Sequence, residues 1–415
     1  SIREKSDLLS DIFPEQQNKV NNYGKKKKRH SSRSRHTIVQ HSLTDPETLT
    51  IVKKLIAVLS KSRAEEYTKW IEVGWCLHNI DHSLLEEWID FSRSDKYPDP
   101  TQDCTQRWNE MRTDGLHLGT LHMWAREDNL AEYTEIIRSS ITTLIDDCGS
   151  GTHYDIALVV HAMFKYQFTC AAISGRPRGH WFEFKNHRWI ENDSGVGLWN
   201  KLSNEVVQEL MKRVNEHAEA GATIGMNISN PQYSIDKDTH MHFSEKLIKV
   251  ARKTLKTTSF KECIMKECAP LFFQTSEDTP WRSKFFQNLD SNSNIIGFEN
   301  GVYDLKTHQF RKGRPEDCLS YSTGIDYIEY DDGDPILSDI KEFVRQVLPN
   351  DEVRRYVWTL LASFLSGSTQ DEKFHIWTGS GGNGKSKVIE LLERSVGEYA
   401  GKMNISNLTQ KRGSA

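Results

Sequence analysis

Residues 374–397 read FHIWTGSGGNGKSKVIELLERSVG. The octet at 379–386 matches G-x-x-x-x-G-K-[ST], the pattern of a loop that wraps phosphate groups. An apolar run at 374–377 precedes the octet and an amphipathic run follows it. Because this order predicts a strand, a glycine loop and a helix, the segment indicates the start of an α/β phosphate-binding domain.

Each residue type in this octet has a chemical role. Glycines let the backbone turn sharply and point N–H groups inward, and the N-terminus of the following helix adds unpaired amides and a positive dipole end. We expect Lys385 to reach the β/γ-phosphates and the Ser386 hydroxyl to bind Mg²⁺, so the predicted cofactors are ATP and Mg²⁺. The predicted cofactor-binding residues are Gly379, Ser380, Gly381, Gly382, Asn383, Gly384, Lys385 and Ser386, with Ser386 as the metal ligand.

Hydrolysis of a nucleotide needs more than a phosphate loop. A metal-binding acid must stand at the end of a neighbouring strand. The acids after the loop, Glu390, Glu393 and Glu398, lie on or just past the predicted helix. The stretch TTLIDDCG at 142–149 has a superficially suitable form, but it precedes the loop and its pattern favours the end of an amphipathic helix. We therefore expect the catalytic acids after Ala415, in a longer parent chain.

The composition describes a polar, mostly globular protein. The 415 residues are 37% hydrophobic and 27% charged, with a net charge of −4. A length of this order predicts two to four domains. Seven irregularly spaced cysteines indicate reduced thiols in an intracellular compartment, with a zinc site built from Cys263, Cys268 and a distant His as the alternative. We find neither a signal-peptide core nor an apolar run of the ~18 residues needed to span a membrane.

Residues 1–41 are predicted to be a disordered, basic linker. The run YGKKKKRHSSRSRH at 23–36 holds seven Lys and Arg and no acid. It fits a solvated linker, a nuclear-localisation signal or an electrostatic contact to nucleic acid. The candidate nucleic-acid-binding residues are Lys25, Lys26, Lys27, Lys28, Arg29, Arg33 and Arg35.

Three further regions follow this linker. Residues 42–130 predict a helical domain that begins at Asp45-Pro46. Its tryptophans at helical spacing are predicted to form the core rather than to stack on bases, and they are Trp70, Trp75, Trp88, Trp108 and Trp124.

Residues 131–334 predict an α+β domain. Helical patterns occur at 130–146, 153–167, 197–219 and 240–268. A hairpin is predicted to turn at Asn186-His187, and two short strands are predicted around a turn at Asn300-Gly301. Residues 335–415 predict two lead-in helices, the second capped by Asn350, and then the glycine loop.

Several stretches resemble the primase-helicase of poxviruses and other nucleocytoplasmic large DNA viruses. They are FENGVYDL at 298–305, YSTGIDYIEYDDGDP at 321–335, the helical pair at 335–366, the glycine octet, and ISNLTQKRGSA at 405–415. In that family a helicase-associated domain precedes a superfamily 3 AAA+ helicase. Residues 64–126 resemble the helical domain that follows the primase domain in several such proteins.

The resemblance implies a multidomain protein that is mainly α with α+β parts. These are a helical accessory domain at 42–130, a helicase-associated α+β domain at 131–334 and the first part of an α/β P-loop AAA+ domain at 335–415. It makes Gly379, Gly384, Lys385 and Ser386 the ATP and Mg²⁺ loop. It also implies a primase domain before Ser1, and metal-binding acids and an arginine finger after Ala415. Lys387 departs from the family pattern, which more often has a small polar residue there.

The resulting hypothesis is that this chain is the central portion of a viral replicative DNA primase-helicase. ATP would drive unwinding by a homo-hexameric ring that binds single-stranded or forked DNA, alongside other replication proteins and without a membrane. The expected location is the cytoplasmic viral replication site of the host cell, with the nucleus as the alternative. Two other hypotheses stay open: a non-catalytic DNA-binding or oligomerisation module with a vestigial nucleotide site, and a plasmid- or phage-type replication initiator.

Overall fold

The computed structural model describes residues 45–94, 97–111, 115–173, 179–225, 231–273, 284–367, 373–379 and 381–406, without the side chains of 223–225 and 231–237. The predicted basic linker and its seven candidate nucleic-acid-binding residues lie outside these ranges. Leu43–Tyr399 form one compact unit. Of the second unit, only 400–406 are described, and 400–404 carry no regular secondary structure.

A first helical layer is built around tryptophans. Its helices are α1 (Pro46–Val58), α2 (Ser62–Glu65), α3 (Tyr67–Ile80), α4 (Leu85–Ser92), α5 (Thr101–Glu110) and α6 (Leu118–Asp128). Asp45 caps α1 by accepting a hydrogen bond from the Thr48 amide, which confirms the predicted helix start. Trp88, Trp108 and Trp124 are buried, and Trp70 and Trp75 are half-buried. The core role predicted for the tryptophans is therefore confirmed.

A second helical layer follows. Its helices are α7 (Leu130–Ser140), α8 (Thr142–Asp147), α9 (His153–Phe164), α10 (Val196–Ser203), α11 (Glu205–Gly225), α12 (Pro231–Arg252) and α13 (Thr258–Phe272). The short helix α14 (Lys284–Asn288) comes next, and its Phe285 packs in the core of the first layer. Of the four predicted helical patterns, the one at 153–167 extends three residues past the end of α9 at Phe164, and the other three are interrupted. The breaks fall at Ile141, Asn204 and 253–257. The stretch at 142–149 contains all of α8 and the start of the 3₁₀ turn Cys148–Ser150, so it is helical, as its pattern favoured.

A three-stranded antiparallel sheet lies between the two helical layers. Its strands are β1 (Phe168–Ala172), β2 (His180–Lys185) and β3 (Arg188–Asn192). The predicted hairpin is confirmed, and its two turn residues, Asn186 and His187, have φ of 51° and 66°, as a type I′ turn requires.

The two faces of this sheet belong to different cores because side chains alternate along a strand. Trp181 joins the core of the second helical layer. Phe182 and Phe184 join the core of the first layer, together with Trp189. The two layers thus share one sheet. The domain boundaries at 130 and 334 stay predictions.

A second antiparallel sheet contains β4 (Ile295–Phe298), β5 (Gly301–Asp304) and β6 (Gln309–Arg311). Ile295 and Val302 form a small core with Leu319. The predicted turn at Asn300-Gly301 is wrong by one residue. Phe298 pairs with Gly301 in the ladder, so the turn residues are Glu299 and Asn300.

The C-terminal part of this unit contains three helices, α15 (Pro335–Val347), α16 (Asp351–Ser363) and α17 (Lys385–Val396). Asn350 caps α16 as predicted, accepting hydrogen bonds from the amides of Glu352 and Val353. The predicted strand at 374–377 is wrong. Residues 373–379 have no regular structure, and Phe374 and Ile376 are 85% and 75% exposed. A strand is stabilised by pairing, and none of the six described strands pairs with this segment.

The described chain is mainly helical with two small antiparallel sheets, so the predicted class, multidomain α with α+β character, is confirmed. Among the described residues, no helix combines the length and the apolar character that crossing a bilayer demands.

Candidate functional site

The glycine loop follows the irregular segment 373–378, leads into the start of α17 and packs against the end of α15. Gly381, Gly382 and Gly384 have φ of 88°, 62° and 81°, in the left-handed region. Gly384 meets a second requirement, because a Cβ there would lie 2.5 Å from Val347 Cγ2. Any other residue at 384 would be strained by its backbone angle and would collide with α15. Ser380 lies outside the described residues.

The N-terminus of α17 is open. No side chain caps it, and the Gly384 carbonyl accepts hydrogen bonds from the amides of Lys387 at 2.9 Å and Val388 at 3.2 Å. Val388 is buried and anchors the helix. The first amides of an uncapped helix, with its dipole, attract an anion.

Lys385 places a positive charge over this loop. Its Nζ donates to Asn383 Oδ1 at 2.6 Å, and a Cβ on Gly379 would lie only 2.5 Å from the same Nζ. Within the described residues Lys385 forms no ion pair with a carboxylate. The next residue, Ser386, is exposed. Open amides, an unneutralised ammonium and an accessible hydroxyl fit a polyphosphate and its divalent cation.

The residues that follow α17 are held by strand β4 and by the loop at Ser322. The Ser322 amide donates to Glu398 Oε2 at 2.8 Å, and the Glu398 amide donates to the Ser322 carbonyl at 3.1 Å. The Gly297 amide donates to Tyr399 Oη at 2.8 Å, and burial raises the pKa of this tyrosine to about 12. The helix behind the glycine loop is therefore fixed at both ends.

Lys387 turns to the helix surface. Its Nζ lies 2.7 Å from Glu390 Oε2, and Arg394 pairs with the other oxygen of Glu390 at 2.7 Å. Its charge is thus engaged by Glu390, unlike that of Lys385.

Of the two acids in the TTLIDDCG stretch, Asp146 makes structural contacts. Asp146 binds Arg213 at 2.6 Å and His217 Nε2 at 2.9 Å, and His217 Nδ1 lies 2.9 Å from His240 Nδ1. Burial acts to raise the pKa of Asp146, but the hydrogen bonds from Arg213 and His217 outweigh it and lower this pKa below its usual value. Asp146 is therefore part of an ion-paired network in the second helical layer.

The alternative zinc site receives no support from the helix that carries it. Cys263 and Cys268 both lie on α13, where the first is exposed and the second is buried. Within the described part of the chain, no group of three or more His, Cys, Asp and Glu side chains is arranged to hold a metal ion.

Sequence reasoning missed two carboxylates, the half-buried Glu316 and the buried Glu209. Glu316 accepts hydrogen bonds from the Thr120 amide at 3.0 Å and from the Thr120 hydroxyl, 196 residues away in sequence. No local pattern could have found this contact. Glu209 lies in α11 with only 7% of its surface exposed. Its position beside Leu210, within the apolar stripe that includes Val206, was a signal that could have been read.

Two regions of the chain match known protein families. Residues 162–349 match the family described as D5 N terminal like. Residues 52–125 match the family described as Primase C terminal 2.

Relatives with similarity across most of this chain are viral. It is 37% identical over 371 residues to the protein named "Putative helicase L207/L206" of Acanthamoeba polyphaga mimivirus, covering 89% of this chain and 37% of that protein. It is 25% identical to "Putative helicase 022R" of Frog virus 3, covering 90% and 45%. It is 24% identical to "Putative primase C962R" of African swine fever virus, covering 92% and 40%. The chain therefore spans less than half the length of these relatives.

Proposed function

This chain belongs to the viral helicase and primase family that carries D5 N-terminal-like and primase C-terminal 2 regions, and from this premise we propose that it is the central, ATP-binding part of a replicative DNA primase-helicase. The observation that carries the proposal is the glycine loop, with its open helix N-terminus and the Lys385 ammonium, which has no carboxylate partner among the described residues. ATP would supply the phosphoanhydride whose hydrolysis drives unwinding. The residues of this chain bind and orient its phosphates.

Each residue of the loop has a separate part in this proposal. The amides at the start of α17 hold phosphate oxygens, and Lys385 neutralises charge on the outer phosphates. The Ser386 hydroxyl ligates Mg²⁺. No residue of this chain is assigned to activate water or to complete the metal site. The chain thus contributes binding, and hydrolysis is a property of the parent protein.

The test compares two lysines on the same helix. Lys385→Ala should weaken binding of a fluorescent ATP analogue at least tenfold, because a hydrogen bond to a charged group contributes about 1.5–3 kcal/mol. Lys387→Ala is the matched control and should bind within twofold of the wild type, because Lys387 pairs with Glu390. Fluorescence anisotropy of the 415-residue chain measures both affinities. Equal binding by wild type and Lys385→Ala would favour the non-catalytic module with a vestigial site.

The serine is tested by its dependence on the metal. Ser386→Ala should abolish most of the gain in affinity that Mg²⁺ gives over EDTA, and binding without metal should persist. Ser395→Ala is the control, because Ser395 Oγ donates to the Leu391 carbonyl on the same helix. If both variants gain equally from Mg²⁺, Ser386 is not a metal ligand.

The DNA partner belongs to the same proposal. The relatives named as helicases and primases support DNA as the substrate. We also infer a homo-hexameric ring, other replication proteins as partners and a viral replication site in the host cytoplasm.

The replication-initiator alternative predicts tight, site-specific binding to DNA. A preference of less than about tenfold for candidate-origin duplex over random duplex at fixed salt supports the primase-helicase, because phosphate contacts carry no sequence information.

A further inference from the structure

A cavity of about 140 Å³ lies where the two helical layers meet. Its walls come from α6, α7, α9 and α11, and Phe184 and Pro315 also line it. This volume is several times the about 30 Å³ that a water molecule occupies in the liquid. It is smaller than the about 300 Å³ at which pockets for drug-sized ligands begin. The space suits one flat ring system.

One wall of the cavity carries a buried acceptor that lacks a donor. The Glu209 side chain is 9% exposed, and its Oε1 accepts from Lys212 Nζ at 2.6 Å. Its Oε2 has no hydrogen-bond partner among the described residues, and Arg138 Nε lies 3.7 Å away. Arg138 is also shared with Glu135 and Glu216. A buried, charged acceptor without a hydrogen-bond donor destabilises the folded chain, so a donor on a ligand would satisfy this oxygen.

The cavity also contains a cation without a carboxylate partner. Arg126 lines it and donates to Gln167 Oε1 at 3.4 Å, and in the described part of the chain it forms no ion pair. Its positive charge therefore remains available to an acceptor on a ligand.

Flat and apolar side chains complete the walls. His122 stacks on Tyr166 with ring centroids 3.9 Å apart, and Met163 and Phe164 add apolar surface. Burial, together with the charges of Lys165 and Arg126, lowers the pKa of His122 to about 3, so its ring is neutral. These walls suit the faces of an aromatic ligand.

We propose that this cavity binds a guanine base. Guanine carries N–H donors at N1 and N2 that Glu209 Oε2 can accept, and its O6 and N7 are the acceptors that arginine binds. Adenine has an amino group at the position where guanine has O6, so the guanidinium would meet a donor. The base can come from a free nucleotide or from a nucleic-acid strand, since both present the same ring.

The first experiment measures nucleoside binding to the full chain by isothermal titration calorimetry. Guanosine should bind saturably and at least tenfold more tightly than adenosine, and inosine, which lacks the 2-amino group, should lie between them. Guanosine carries no phosphate, so Lys385→Ala should bind it as the wild type does. This separates the cavity from the glycine loop. The proposal would be overturned if guanosine did not bind at millimolar concentration, or if adenosine bound as tightly as guanosine.

Variants locate the binding in the cavity. Glu209→Gln should weaken guanosine binding at least tenfold, whereas Glu135→Gln should not, because Glu135 also contacts Arg138 but does not line the cavity. If Glu209→Gln unfolds, Arg126→Gln takes its place and should show the same loss. Unchanged affinity in a folded Glu209→Gln or Arg126→Gln protein would contradict the assignment.

The source of the base is resolved by a third comparison. A thymine oligonucleotide with a single central guanine is titrated beside guanosine, with a central adenine as its control. Tighter binding of the guanine oligonucleotide than of guanosine indicates a base in a strand, and the reverse order indicates a free nucleotide. Equal binding of the guanine and adenine oligonucleotides and of the two nucleosides would show that the cavity does not recognise guanine.

Discussion

At the residue scale, burial sets the charge of His122. Its Nδ1 lies 3.2 Å from Tyr133 Oη, and its ring lies against Tyr166. Burial is the largest effect on its pKa, and the nearby cations Lys165 and Arg126 act in the same direction, to about 3. Burial disfavours the charged form of a histidine, so the folded chain resists protonation of His122 as the pH falls.

This gives a pH dependence with a definite sign. Between pH 6.5, the usual pKa, and about 3, the unfolded chain binds a proton at His122 that the folded chain does not. The free energy of unfolding should therefore fall as the pH falls, by up to about 1.4 kcal/mol per pH unit from this group. His122→Phe removes the group, so wild type should lose stability relative to the variant between pH 7 and 5 in urea unfolding. Parallel stability profiles would contradict the assigned pKa.

At the element scale, the start of α6 depends on a distant residue. Thr120 is the third residue of this helix, and its amide would otherwise lack a partner. Glu316 accepts from that amide, and the neighbouring Arg314 pairs with Glu72 of α3 at 2.5 Å. The loop around 314–317 thereby holds the first helical layer against the rest of the unit.

Removing this contact should destabilise the chain. Glu316→Ala leaves the Thr120 amide without its acceptor, and we expect a loss of about 1–3 kcal/mol in the free energy of unfolding. Glu316→Gln keeps an acceptor for the amide and should lose less. Glu110→Gln is the control, because Glu110 forms only an exposed pair with Arg107. Equal stability of Glu316→Ala and the control variant would refute the capping role.

The same glutamate gives a second prediction for pH. Burial raises the pKa of Glu316, and the hydrogen bonds from Thr120 oppose this without cancelling it. The folded chain therefore keeps this proton to a higher pH than the unfolded chain, whose usual pKa is 4.5. The stabilisation that this proton gives the folded chain is complete below pH 4.5 and is lost as the pH rises. Wild type should lose stability relative to Glu316→Gln between pH 4 and 7, as measured by urea unfolding. A constant difference between the two would argue against the raised pKa.

At the scale of the whole molecule, charge is unevenly distributed. The chain carries a net charge of −4, yet 23–36 contain seven Lys and Arg and no acid. Phosphate binding releases counterions, so a basic segment of this kind should raise DNA affinity without sequence preference.

Deletion of 23–36 should weaken DNA binding and flatten its salt dependence. The slope of log K against log salt should fall by about 0.9 for each phosphate that the seven charges neutralise, and so by several units. Fluorescence anisotropy with a labelled duplex, between 50 and 300 mM salt, measures both slopes. An unchanged slope would leave the linker or the localisation signal as the role of this segment.

The sequence by itself determined features whose physics is local. Asp45 and Asn350 start helices because a side chain caps amides two or three residues ahead. The pair Asn186-His187 turns a hairpin because both residues accept positive φ, and the amphipathic run after the glycine loop forms α17.

Only the tertiary structure decided the features that join distant residues. The apolar run at 374–377 does not form a strand, because a strand requires a partner that its own residues cannot supply. Glu316 caps a helix 196 residues away, and Glu209 faces a cavity enclosed by four helices. Capping and periodicity act over a few residues along the chain, whereas strand pairing and burial depend on which other segments arrive beside them.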